Sequence, residues 1–190
     1  MSRRRTALAA ALSLLPLGQP LLLGSTTALA TGAVLLSTQT AVAQSADDYV
    51  DAGIEKGNSG DFQEAIADFT RAIEIDPQDA AVYHYRGYAK GKLGDFQGAI
   101  ADYNKAIEIN PQYADAYNNR GNAKYELGDT QGAIADYNKA IAIDPQDASA
   151  YFNRGITKGM SGDQQGACAD MRRASSLGAT MPPAIQRICF

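Results

Sequence analysis

The side chains best suited to chemistry are few in this sequence, and their spacing argues against catalysis. There is one histidine, His84, and there are two cysteines, Cys168 and Cys189. A catalytic or transition-metal centre needs several donors converging on one point. His84 has no second histidine and no carboxylate at ligand spacing, so no metal site is expected. Acid or amide residues recur directly before Pro77, Pro111 and Pro145, where such pairs punctuate turns rather than act as paired acids. The serines lack histidine and aspartate partners, and no glycine run forms a phosphate loop. These residues predict a protein that is not an enzyme and carries no cofactor.

Charge narrows the partner class. The chain holds 17 Lys+Arg and 21 Asp+Glu. Residues 1 to 43 contain three of the arginines and no acid, so the remainder stands at 14 − 21 = −7. An acidic surface repels phosphate backbones, and nucleic acid is not an expected ligand. No basic cluster follows the N-terminus, which argues against an anionic lipid surface. The N-terminus itself reads as a targeting segment. Arg3, Arg4 and Arg5 precede a long Ala- and Leu-rich stretch, and Ala41-Val42-Ala43 fits a small-x-small cleavage site. A signal peptide over 1–43 is expected, cleaved after Ala43. The alternative is an uncleaved N-terminal anchor, although the apolar run from Leu21 to Leu36 is short for a spanning helix. Ser2-Arg3-Arg4 is a fragment of a twin-arginine signal without the rest of that motif. With cleavage, no membrane contact is expected, and the protein is placed in a periplasm or a thylakoid lumen.

The elements that position everything else are repeats. Asp61–Gln78 reads DFQEAIADFTRAIEIDPQ, Asp95–Gln112 reads DFQGAIADYNKAIEINPQ, and Asp129–Gln146 reads DTQGAIADYNKAIAIDPQ. Pro77, Pro111 and Pro145 are 34 residues apart, and a decaying fourth copy starts at Asp163. Ala99, Ile100, Tyr103, Ala106 and Ile107 recur at steps of three and four, one apolar helical stripe. Gly94 stops one helix and Asp95 can cap the next, while Pro111 ends the second. Each unit is thus helix A, a tight turn, helix B and a proline-marked turn. Small residues at Gly87, Gly121, Gly155 and at Ala99, Ala133, Ala167 mark close helix approaches.

At Tyr83, Gly87, Ala99, Tyr103, Ala106 and Pro111, and again at Tyr117, Gly121, Ala133, Tyr137, Ala140 and Pro145, the chain resembles the tetratricopeptide repeat. Departures are Arg86, Arg120 and Arg154 in place of leucine, Tyr in place of the first Trp, and Met171 in place of the last aromatic. The resemblance implies an all-α, right-handed superhelical α-solenoid. Its units are expected at 46–79, 80–113, 114–147 and a degenerate 148–181, closed by a short capping helix over 182–190. Ile185, with Ile188 or Phe190, is expected to cover the last unit. The three arginines are expected to pack their stems between helices and to meet nearby acids. The style of NRGNAKYELGD and GAIADYNKAI is similar to exported cyanobacterial members of the family.

The family lines a concave groove with its A helices. The resemblance implies Ala81, His84, Tyr85, Tyr88 and Lys92 in the second unit, and Asp115, Asn118, Asn119, Asn122, Tyr125 and Glu126 in the third. In the fourth it implies Ser149, Phe152, Asn153, Ile156 and Met160. Asparagine amides both donate and accept, and aromatics give contact area at low entropy cost. The expected partner is a protein segment, extended or helical; the alternative is self-association into a homo-oligomer with an incidental groove. Asn122 and Asn153 match asparagines that clamp a C-terminal carboxylate in some members, but the clamp lysines are replaced by Val50, His84 and Asn118. Cys168 takes the slot of Ile66, Ile100 and Ile134, which faces the next element, here the cap carrying Cys189. An exported protein meets oxidising conditions, so a Cys168–Cys189 disulfide is expected, with two buried thiols as the alternative.

Overall fold

The computed structural model describes residues 45–190, and these form nine helices and no strand. The expected leader, its cleavage site and the twin-arginine fragment lie outside the described residues. Helix α1 (Ala46–Ser59) pairs with α2 (Phe62–Ile75), α3 (Ala80–Lys92) with α4 (Phe96–Ile109), α5 (Ala114–Glu126) with α6 (Thr130–Ile143), and α7 (Ala148–Met160) with α8 (Gln164–Ser176). A short α9 (Pro183–Cys189) packs on α8. Each helix also contacts the next in sequence, so the pairs stack into a solenoid. No described helix is long and apolar enough to cross a membrane.

Local chemistry explains each boundary. Gly60, Gly94, Gly128 and Gly162 all take positive φ between the paired helices, the left-handed turn that glycine adopts without strain. Asp95, Asp129 and Asp163 then cap α4, α6 and α8 by accepting from the backbone N–H of Gly98, Gly132 and Gly166. Asp61 makes no such bond, and the residue three positions on is Glu64 rather than glycine. A Cβ at Gly98 would collide with the Asp95 carboxylate, so the cap and the glycine are one device. At the far ends, Asp76, Asn110 and Asp144 side chains accept from the backbone N–H two residues later, across Pro77, Pro111 and Pro145.

Helices A and B of a unit touch where a glycine lies under a large side chain. Gly53, Gly87, Gly121 and Gly155 face Phe69, Tyr103, Tyr137 and Met171, and an added Cβ would approach these to 2.6–2.9 Å. All four large residues are buried, as are the alanines at 65, 99, 133 and 167. Met171 therefore fills the aromatic slot, and the fourth unit forms a full pair, α7–α8, despite its decayed sequence.

Between units the stack is stitched by the arginine row. Arg120 donates from Nε and Nη2 to Asp136 of its own unit at 2.8 and 2.6 Å, and from Nη1 to Asn104 of the preceding unit at 2.7 Å. Arg154 does the same with Asp170 and Asn138, and Arg86 with Asp102 and Thr70. Lys90, Lys124 and Lys158 complete the pairing of these buried aspartates. Each guanidinium also lies over a tyrosine ring three residues before it. This matches the expected packing of the row. The first unit has Ala52 at this register, and there Lys56 alone holds Asp68, at 2.7 Å.

The last unit ends the pattern. The acceptor position Thr70, Asn104, Asn138 becomes Arg172, whose Nε donates to the Cys189 carbonyl at the end of α9, at 2.8 Å. The covering residues are Met181 and Ile185, which pack on Met171 and Ala174, and Cys189, which is buried against Cys168. The expectation for Ile188 and Phe190 is corrected: they are 64% and 66% exposed. In seven residues α9 has room for one inward stripe, and Ile185 and Cys189, four apart, take it.

Candidate peptide-binding groove

Helices α1, α3, α5 and α7 lie side by side, with direct contacts from α1 to α3, α3 to α5 and α5 to α7. The residues expected on their groove face divide into two sets. One set is spent on holding the units together. His84 and Asn118 are buried. Asn119 Nδ2 lies 2.8 Å from His84 Nε2, and Tyr113 Oη lies 3.2 Å from Nδ1. An amide nitrogen only donates, so Nε2 accepts and the ring proton sits on Nδ1, facing the tyrosine hydroxyl. One unit later Asn153 Nδ2 donates to Asn118 Oδ1 at 3.1 Å, and Asn122 Oδ1 accepts from Tyr137 Oη at 2.8 Å. Asn119 and Asn153 thus form a ladder between units, while the Asn122–Tyr137 bond lies within the third unit.

Burial sets the proton affinities of this ladder. Desolvation lowers the His84 pKa below its usual 6.5, partly opposed by the charge of Asp115. It pushes the hydroxyls of Tyr113 and Tyr137 up to about 12, so both stay protonated at any physiological pH.

The other set lines open recesses. The largest, about 480 Å³, lies over the first two units and has Ile54, Phe62, Phe69, Tyr85 and Tyr88 as its apolar wall, with His84 and Asn119 at its polar edge. Tyr85 stacks on Phe69 with centroids 5.8 Å apart, and Tyr88 is 45% exposed. A second recess of about 180 Å³ runs past Lys92, Asn122 and Glu126. A third of about 360 Å³ is lined by Tyr125, Phe152, Asn153 and Ile156. A fourth of about 290 Å³, almost wholly apolar, reaches from Ile156 and Met160 to Ile185 and Ile188. Of the expected groove residues, Ala81, Asp115, Asn118 and Ser149 line none of these recesses, and Ile54, Phe62 and Phe69 line one without having been expected. Ile54 shares the register of Tyr88, Asn122 and Ile156, so stepping back 34 residues finds it; Phe62 and Phe69 come from α2 and carry no such signal.

Cys168 and Cys189 come together as the slot argument expected, with Cα atoms 4.9 Å apart and sulfurs at bonding distance. Among the described residues no cluster of histidine, cysteine, aspartate and glutamate could hold a metal ion.

The geometry defines a class: stacked helical hairpins with recesses along one row of helices. The TPR repeat profile matches residues 58–94, 91–128 and 121–162, more than half of the chain. The chain belongs to the tetratricopeptide repeat family. Among solved structures it is similar to MamA, at 26% identity over 70% of this chain and 77% of that one, with a TM-score of 0.66. It is also similar to the first TPR domain of Spaghetti (RPAP3) bound to the HSP90 peptide SRMEEVD, at 26% identity over 63% and 94% of the two chains, TM-score 0.61. The TPR domain of Arabidopsis OM64 aligns at 26% identity over 61% and 96%, TM-score 0.60. No curated protein sequence matches the chain.

Proposed function

We propose that this protein is a non-enzymatic interaction module that binds a segment of a partner protein in its concave groove. The observation that carries the reading is the run of recesses along α1, α3, α5 and α7, walled by aromatic and aliphatic side chains with amides between them. The Spaghetti domain, bound to the HSP90 peptide SRMEEVD, supports the reading that a related fold takes a peptide ligand. Its acidic ligand is not the model here, because Val50, His84 and Asn118 stand where clamp lysines would be.

The site of action in this reading is an exported compartment, a periplasm or thylakoid lumen, reached by removal of residues 1–43. The Cys168–Cys189 pair fits such a setting, since disulfides persist where the medium oxidises.

The test is quantitative capture from an envelope extract with wild type and a Tyr88→Ala, Tyr125→Ala variant of matched melting temperature. Selective loss of specific partners by the variant supports the groove. Equal recovery of every partner overturns it.

A further inference from the structure

The last turn of each A helix carries one exposed residue at the same register: Asn58, Lys92, Glu126 and Met160. Each lines a recess. Asn58 is on the 480 Å³ apolar recess, Lys92 and Glu126 share the 180 Å³ recess between them, and Met160 is on the apolar recess beside the cap. Neither Lys92 nor Glu126 enters an ion pair among the described residues; the buried pairs of α3 and α5 use Lys90 and Lys124 instead. The Lys92 ammonium is held over the Tyr88 ring, 5.0 Å from its centroid, which keeps it at the mouth of the apolar recess.

The residue one position earlier sets the height of the floor. It is Gly57 and Gly91 in the first two units, where an added Cβ would meet nothing closer than 4.0 Å. In the third unit it is Tyr125, whose hydroxyl donates to Met160 Sδ of the next unit. An open channel therefore runs from α1 to α5, and the Tyr125–Met160 contact stands across its end.

We infer that this channel takes an extended segment of a partner protein that presents, in spatial order, a large apolar side chain, a carboxylate and a cation. The apolar group seats among Ile54, Phe69, Tyr85 and Tyr88, the carboxylate on Lys92 and the cation on Glu126. The inference rests on the groove reading above and adds to it the chemistry and order of the ligand. Packed helices sit about 8–10 Å apart, and an extended chain advances about 3.3 Å per residue. The three groups are then separated by about three residues each. The chain must continue past Lys92 to reach Glu126, so the carboxylate is a side chain of Asp or Glu and not a C-terminus. Opposite charges in sequence along the channel fix the direction in which the segment lies.

The test uses the full chain and labelled peptides with blocked ends, Phe-x-x-Glu-x-x-Lys with Ser and Gly at x, in both chain directions. Each is compared with its charge-swapped twin, Phe-x-x-Lys-x-x-Glu, by fluorescence anisotropy at low salt. In one chain direction the first peptide should bind about tenfold more tightly than its twin, the sum of two exposed pairs made against two repulsions. Salt should narrow the gap. The double variant Lys92→Glu, Glu126→Lys should reverse the preference. Both positions are exposed, and an unchanged melting temperature confirms that the fold is kept. Binding that ignores charge order, or a preference unchanged in the double variant, overturns this inference and leaves the groove reading standing. Failure of every peptide to bind overturns this inference, and the groove reading is then decided by the capture experiment with the Tyr88→Ala, Tyr125→Ala variant.

Discussion

Gly121 and Gly57 show how the same residue type does opposite work one helical turn apart in the repeat register. A Cβ at Gly121 would meet the Tyr137 ring at 2.6 Å, and that ring is fully buried. Gly121→Ala is expected to lower stability by about 1–3 kcal/mol through overpacking. A Cβ at Gly57 meets open space, so Gly57→Ala is expected to raise stability by about 0.5–1 kcal/mol through helix propensity. Chemical denaturation of both variants checks the pair, and equal signs would contradict it. His84 gives a pH signature. Its pKa is lowered by burial, so the unfolded chain takes up a proton where the folded chain does not. Its contribution is full above 6.5 and is lost as pH falls from there toward the lower folded value. Wild type should therefore lose more melting temperature between pH 7.5 and pH 5.5 than His84→Asn, which keeps an acceptor for Asn119 as Asn118 does for Asn153. Recognising the groove positions from the sequence was straightforward. What the sequence concealed was that His84, Asn118 and Asn122 are already bonded: the partners of His84 and Asn118 sit 35 residues away and meet them only once units stack, and that of Asn122 sits 15 residues away across its own helix pair.

Helix pairs were legible because each carries its own punctuation: glycine and aspartate at one end, proline at the other. Their order in the stack follows from the 34-residue period, and the family signature names the fold. Less legible was the strength of the joints. Arg120 could be read as a periodic cation, but its acceptors lie 16 residues on either side, in two different units. Asp136 is 95% buried as a side chain and is shared with Lys124. Removing one partner of a buried pair costs about 3–5 kcal/mol. Arg120→Ala should fall below that, at about 2–3 kcal/mol, because Lys124 stays on the carboxylate. A double-mutant cycle with Asn104→Ala isolates the part that couples two units. Zero coupling would mean that the Arg120–Asn104 bond adds nothing to the joint. The fourth copy is decayed in sequence, yet α7 matches α3 and α5 in length and α8 is only one residue shorter than α2, α4 and α6, with a methionine filling the aromatic slot.

At the scale of the molecule the two ends are unlike. A disulfide between Cys168 and Cys189, with a sequence separation of 21, would stabilise the cap by about 3 kcal/mol through loop entropy. Intact mass before and after reduction should differ by two hydrogens, and reduction should lower the melting temperature; an unchanged mass removes the bridge. If the proposed export holds, N-terminal sequencing of the mature protein should begin at Gln44, whereas a retained Arg3-Arg4-Arg5 would indicate an anchor. Light scattering should report a monomer. Head-to-tail stacking of copies would bring Ala52, which has no donor, against Arg172, which is no acceptor. That last residue reads as a chain terminator in the polymer sense. Thr70, Asn104 and Asn138 each leave a live end that the next arginine can join, and Arg172 turns the live end into a spent one by satisfying the cap carbonyl. Array length is then set by where a single acceptor is exchanged for a donor. Duplicating residues 80–113 ahead of the last unit should lengthen the groove by one step without changing how it ends.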